Sequence, residues 1–420
     1  MKGILRHTPL LFLGLIMPVI TCGQDIPFGD YSRYPFISIR DNTLELADSA
    51  VGMDVFFEKL SQCQLKGKGR VKILHIGDSH VQADFFTGRT RQRFHQSFPG
   101  CNAGMNLVFP YKAAKTNSSY VYTSEANGEW ISCRNIMSDR TCTLGVTGIS
   151  LTTTDSSASL SFRMRRQLPL AYFFNRMSVM ILRDSASFSI SVPGFQYEGC
   201  DTLGLAILYH FSSPQQVDST SLFVRKDDST QKQLTLLGIL LDSGDEGILY
   251  NSAGINGADV RSFLRCSQMN SDLAYLSPDL VIVSLGTNDC YSEKWDSVTF
   301  EMNLRTLARN IRQSVPSAAI IFTTPPDHYR KRKHLNEDVP AACNAIYRVA
   351  RSEKAAVWNL YRVMGGRNSI REWIDSNLAV RDRIHFNSEG YYLQGDLLFE
   401  AIIQSWSDYL DKQYVAGTNR

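Results

Sequence analysis

Residues 71–77 (VKILHIG) form a short, mainly apolar run that ends in a turn, and beyond it Phe86, Thr90 and Phe94 recur at intervals of four. A short buried run, a turn and then a helical period predict strand, turn and helix. Upstream, a stretch rich in Pro, Gly and Tyr leads to residues 50–63, where Val51, Val55 and Leu60 suggest another helix. The alternation resumes far downstream. LVIVSLG at 280–286 reads as a buried strand, Phe300, Leu304, Leu307 and Ile311 as a helical stripe, and AAIIFTTPP at 318–326 as a further strand. Val339, Ala342, Ile346 and Val349 make a second helix face, AAVWNLY at 355–361 another strand, and residues 388–411 a closing helix. Strands alternating with helices predict an α/β domain whose parallel sheet is covered on both faces.

Between the two α/β blocks the pattern changes. VYTSEANGEWISC, GVTGISLTTT, ASLSFRMRR, SVMILRD, SFSISVP, AILYHFSS and STSLFVRK are short runs rich in Ser, Thr, Val and Ile, with turn residues between them. Alternation without a helical period predicts a β-sandwich. The expected organisation is a leader over 1–23, the first part of the α/β domain over 24–105, an inserted β-rich domain over 106–245, and the second part of the α/β domain over 246–420.

The leader rests on Lys2 and Arg6, an apolar run from Pro9 to Ile20, and the small residues Thr21, Cys22 and Gly23. That run is too short to span a bilayer. Cleavage after Gly23 predicts an exported chain, periplasmic or extracellular, with no transmembrane helix once mature; lipid attachment at Cys22 is the alternative. Loss of the leader removes Lys2 and Arg6 and no acid, so the formal charge falls from +3 to +1. A near-neutral protein is not a general polyanion binder, and nucleic acid is not an expected partner. Eight cysteines remain (63, 101, 133, 142, 200, 266, 290 and 343). An even count in an oxidising compartment permits disulfides, but the pairings are too many for one to be chosen. No CxxC or HExxH occurs, so a structural metal is not expected.

Candidate chemistry gathers at predicted strand ends. Gly77-Asp78-Ser79-His80 puts a serine past the carboxyl end of the first strand, where open α/β sheets carry ligand sites. Alone, the segment reads equally well as a turn with a helix N-cap. Asp382-Arg383-Ile384-His385 precedes the last helix. A serine hydroxyl needs a base to take its proton, and the imidazole needs a carboxylate to fix its tautomer; this spacing lets one loop present both. An oxyanion would need hydrogen-bond donors. Residues 251–258 (NSAGINGA) offer glycine amides at Gly254 and Gly257, and Gly286-Thr287-Asn288-Asp289 offers an amide side chain.

In this order and at these positions, the four segments resemble the SGNH/GDSL hydrolase superfamily. The resemblance covers roughly residues 71–105 and 247–406. It implies a flavodoxin-like three-layer α/β/α sandwich with a parallel sheet, interrupted here by the inserted β-sandwich, and no metal or organic cofactor. It further implies Ser79 as nucleophile, Asp382 and His385 as its partners, and an oxyanion hole built from the amides of Ser79 and Gly257 and the side chain of Asn288. Gly257 rather than Gly254 matches the second block, and His80 stands where many members have leucine. The gap between Ser79 and Gly257 is far longer than in compact members. GDSH followed by VQADFFTG, together with the insert, resembles the bacterial peptidoglycan O-acetylesterases, whose inserted module is similar to a carbohydrate-binding β-sandwich.

The expectation is therefore a serine esterase acting on an O-acetylated glycan, peptidoglycan first and acetyl xylan or another polysaccharide second. A lipase or thioesterase, an O-acetyltransferase and a non-catalytic glycan-binding protein are the competing readings. The basic run Arg330, Lys331, Arg332 and Lys333 reads as a solvated face, His75 as a core histidine and His328 as structural. Trp130, Tyr120 and Tyr122 read as core aromatics, and the sequence sets no oligomeric state.

Overall fold

The computed structural model describes residues 26–47, 50–98, 100–166 and 168–418. The leader and Cys22 lie outside these. A six-stranded sheet runs in the order Leu44–Leu46, Ala356–Trp358, Ala319–Thr323, Leu280–Ser284, Arg70–Gly77, Gly247–Gly254. Its first two strands pair antiparallel and the rest pair in parallel. The antiparallel edge departs from the all-parallel expectation. It comes from a three-residue strand inside the Pro, Gly and Tyr-rich entry segment, too short to show an alternation.

The helical stripes bury as their spacing requires. In Ser297–Ser314 the buried residues are Phe300, Leu304, Leu307, Ala308 and Ile311, and Asp296 caps its start by accepting the Thr299 amide at 2.7 Å. In Val339–Glu353, Val339, Ala342, Ile346 and Val349 face inward. The closing helix, Ser388–Thr418, runs beyond the expected end at 411 and packs on Phe85–Ser97. The two helices touch where Gly395 leaves no room: a Cβ there would lie 2.7 Å from the Arg89 Cβ.

Residues 107–242 carry two antiparallel sheets. One runs Gln196–Leu203, Ala206–Val217, Phe174–Leu182, Leu234–Asp242, Ile149–Thr153, Ile131–Arg134, with Leu107–Val108 also paired to Leu234–Asp242. The other runs Tyr122–Asn127, Ser159–Met164, Ser219–Arg225, Ser189–Ser191. Leu160, Phe162 and Leu222 of the second sheet share a buried cluster with Leu151, Val179 and Leu236 of the first. The same cluster continues through Val108, Leu144 and Val146 to Leu74, Ile76, Val281 and Phe263 of the α/β part. Polar contacts cross at the same place: the buried Gln268 side chain accepts the Leu205 amide at 2.7 Å and donates to the Leu203 carbonyl at 2.6 Å. Cys133 and Cys142 form a disulfide, Cys200 is a free exposed thiol, and Cys63, Cys101, Cys266, Cys290 and Cys343 are buried thiols.

The helix after the Ser79 segment is anchored by a buried ion pair. Asp84 and Arg91 meet at 2.7 Å with side chains 2% and 0% exposed. Asp84 also accepts from Thr87, Ser119 (3.2 Å) and Ser252 (3.0 Å), and Arg91 donates to the Tyr250 carbonyl at 3.2 Å. Asp84→Ala would leave a guanidinium buried without its counter-charge, a loss of about 3–5 kcal/mol. Urea unfolding should show it as a lower midpoint at unchanged slope.

Candidate active site

Sheet register brings the candidate segments to one level. Gly77 lies opposite Gly254 on one side and Ser284 on the other, and Ser79 opens the short helix Ser79–Gln82 just beyond. Asp78 caps that helix, its Oδ1 accepting the His80 amide at 2.9 Å. The helix sits hard against the sheet: a Cβ on Gly77 would lie 2.8 Å from the Ser284 carbonyl oxygen, and one on Gly254 2.3 Å from the Gln82 nitrogen. Gly254 therefore serves close packing, and the second glycine of the segment is left facing outward.

Residues 380–385 fold back as a tight loop, with Arg383 at φ 63° and the Val380 amide donating to the His385 carbonyl at 2.9 Å. Asp382 Oδ1 accepts the amides of Ile384 (2.9 Å) and His385 (3.0 Å), and Oδ2 meets His385 Nδ1 at 2.8 Å. The other ring nitrogen, Nε2, lies 2.9 Å from Ser79 Oγ. Burial pushes the Asp382 carboxyl up, but the His385 ring and the two amides outweigh it and leave it at about 2. The same ring bond raises His385 above its ordinary value against the opposing effect of burial. With the Nδ1 proton held by a carboxylate, Nε2 is the free base facing the hydroxyl. Such an arrangement can take the serine proton and stabilise the imidazolium that results.

Gly257 occupies the third position of a turn closed by the Ala258 amide on the Ile255 carbonyl (3.0 Å), at φ 81°. A positive φ at this position favours glycine. Asn288 lies in Thr287–Tyr291, and its Nδ2 donates to the Ala258 carbonyl at 2.9 Å and lies 3.4 Å from Asp78 Oδ2. That places the amide side chain beside the Gly257 turn and next to Ser79. Among the described residues, the amides of Ser79 and Gly257 donate to no protein acceptor.

Two buried carboxyls support these turns. Burial raises Asp78 to about 6, against the His80 amide. Burial, with Asp259 nearby, raises Asp289 to about 8, and Asp289 accepts the Val260 amide at 3.1 Å.

Other residues singled out in the sequence lie apart from this group. His75 is buried between the Tyr250 hydroxyl (2.8 Å) and the Ser284 hydroxyl (2.6 Å). His328 is buried against the Pro326 carbonyl (2.9 Å) and Asn336 (2.8 Å). The basic run forms the tip of a hairpin, Tyr329–Arg330 with His334–Leu335. Its Arg330 turns back to the Tyr291 carbonyl (3.2 Å) and to Asp338, so only part of the run faces solvent. Tyr122 is buried with its hydroxyl on the Phe109 backbone, Trp130 donates to the Asn127 carbonyl at 3.1 Å, and Tyr120 is half-buried against Phe85, 4.9 Å between ring centres.

Sequence reasoning gave no role to two buried neighbours of Ser79. The His80 ring lies 5.3 Å from that of His385, with its Nδ1 3.0 Å from the Tyr391 hydroxyl, and burial holds its pKa well below the ordinary value. It is a neutral shelf for the His385 ring. Gln82, at the end of the same short helix, bonds to two other segments. Its place in the GDSHVQ string was the only available signal.

The GDSL-like Lipase/Acylhydrolase family matches residues 221–393, which include Gly257, Asn288, Asp382 and His385 but not Ser79. The intervening β-rich residues separate Ser79 from the matched stretch. A solved peptidoglycan O-acetylesterase is similar over nearly its whole length, with TM-score 0.73 and 24% identity across 87% of this chain and 99% of that one. A lipase/acylhydrolase from Enterococcus faecalis aligns over 37% of this chain and 76% of its own, with TM-score 0.32 and 24% identity. The acetyl xylan esterase AlAXEase aligns over 38% and 82%, with TM-score 0.30 and 20% identity. No curated protein sequence matches the chain.

Proposed function

We propose that the chain is a serine ester hydrolase of the GDSL-like lipase/acylhydrolase type and that it removes O-acetyl groups from a glycan, with peptidoglycan as the first substrate. His385 takes the proton of Ser79 as the hydroxyl attacks the acetyl carbonyl, and Asp382 holds the imidazole and balances its charge. The amides of Ser79 and Gly257 and the Asn288 side chain receive the oxyanion. Collapse releases the sugar hydroxyl, protonated by His385, and leaves an acetyl-serine. Water, deprotonated by the same imidazole, then releases acetate.

The observation that carries this reading is the Ser79, His385, Asp382 chain of hydrogen bonds at a half-exposed strand end. The peptidoglycan assignment draws on the near full-length likeness to the peptidoglycan O-acetylesterase. Export of the chain belongs to the same proposal.

Hydrolysis should be fastest on O-acetylated peptidoglycan, slower on acetyl xylan, both read as acetate, and slowest on a long-chain ester, read as fatty acid. Brisk release from acetyl xylan with none from peptidoglycan would move the assignment to other polysaccharides. In the β-rich part, a cleft of about 550 Å³ is lined by Phe195, Tyr197, Tyr209 and Phe211, with Tyr197 half exposed. An open aromatic face suits stacking on a sugar. Tyr197→Ala should slow hydrolysis of polymer while leaving nitrophenyl acetate untouched; equal rates on polymer would remove the cleft from the substrate path. Asn288→Ala, which deletes one oxyanion donor, should lower kcat by about 10²–10³ with little change in KM. A change in KM alone would make Asn288 a ground-state contact.

A further inference from the structure

We propose that Gln82 is a positioning residue of this reaction, the latch that holds the Gly257 turn against the nucleophile helix. The inference rests on the reading of Gly257 as an oxyanion donor. Gln82 ends the helix Ser79–Gln82 and is 3% exposed. Its Oε1 accepts the Asn256 amide at 2.6 Å. Its Nε2 donates to the Thr116 hydroxyl at 2.9 Å and to the Asn117 carbonyl at 2.8 Å.

These three bonds use the carbonyl and both hydrogens of the side chain, and they fix its orientation. Turned over, the amide would set NH₂ against the Asn256 N–H and its oxygen against the Asn117 carbonyl, two repulsions in place of two bonds. The turn at 255–258 is tied to the nucleophile side at two points: the Ile255 amide on the Gly77 carbonyl at 3.1 Å, and the Asn256 amide on Gln82. The second tie is adjacent to Gly257, so it sets how far the Gly257 amide stands from Ser79. The same side chain grips the loop at 116–117, which the Tyr120 amide also pins, to the Ala83 carbonyl at 2.9 Å. The β-rich part thereby braces the donor from behind.

An oxyanion donor displaced by about 1 Å costs up to roughly 10² in rate. Gln82→Leu should therefore lower kcat on nitrophenyl acetate about 10–100-fold, with KM within about threefold. Asn256→Pro removes the partner N–H at the second position of the turn, where proline is well accommodated, and should give the same loss. Because the bond between Gln82 and the Asn256 amide is lost in both, the double variant should lose less than the product of the two single losses.

Wild-type kcat in either folded single variant, or losses that multiply in the double, would overturn the latch. A thermal melt identifies the folded material, and if Gln82→Leu does not fold, Asn256→Pro decides alone. Asn288→Ala run alongside separates the two layers. If it keeps wild-type kcat, the oxyanion reading fails. If it is slow while Gln82→Leu is not, only the latch fails.

Discussion

Ser79→Ala is expected to abolish ester hydrolysis and leave the fold intact. Among the described residues the Ser79 hydroxyl bonds to His385 alone, so its loss strands no buried group, and the site is half open to solvent. Removal of a serine nucleophile that works as a unit with its base costs on the order of 10⁶ in kcat, and what survives comes from the oxyanion donors and binding. Acetate release from nitrophenyl acetate gives the rate, and a thermal melt gives the fold. A fluorophosphonate should label the wild type at Ser79 and leave the variant unlabelled. Retention of more than about a tenth of the wild-type rate would exclude Ser79 as the nucleophile.

The second large effect belongs to Asp382. Asp382→Asn keeps the shape of the side chain but presents either an N–H or an uncharged oxygen to His385 Nδ1, so neither the tautomer nor the charge of the imidazolium is secured. A loss of about 10⁴ in kcat is expected. The pH profile carries an independent signature. His385 works as a base only when neutral, and the bond to Asp382 raises its pKa above 6.5. The wild-type kcat/KM should fall as pH drops through a midpoint above 6.5. In Asp382→Asn the raising bond is gone and burial, which favours the neutral ring, remains, so the midpoint should move down. Asp382 itself, at about 2, stays charged across this range and adds no second limb. An acid limb unmoved by Asp382→Asn would assign the titration to another group.

Much of the site was legible because its parts are local strings: GDSH, GTND and DRIH each fix a side chain relative to a strand end or loop within a few residues. The helical stripes were legible for the same reason, since Phe300, Leu304, Leu307 and Ile311 all bury as their period requires. Two kinds of feature were not. The Leu44–Leu46 edge strand is too short to carry a pattern and exists because Ala356–Trp358 offers it an edge. The Gln82 bonds and the seating of His80 against His385 join residues whose proximity only the sheet register and the β-rich loop create. The disulfide between Cys133 and Cys142 belongs here too, since a cysteine count ranks no pairing.

The pairing of Arg70–Gly77 with Gly247–Gly254 has a kinetic consequence. Residues 78–246 must be threaded between two neighbouring strands of one parallel sheet, a long loop whose closure brings no reward until both ends meet. A β-rich segment that has already condensed shortens that loop and brings its ends together, while one that has not leaves the Ser79 strand without its neighbour. Ser79, just past the first of these strands, comes beside the Gly257 turn only when that loop closes. The return of ester hydrolysis on refolding is accordingly expected to follow the closure of that loop.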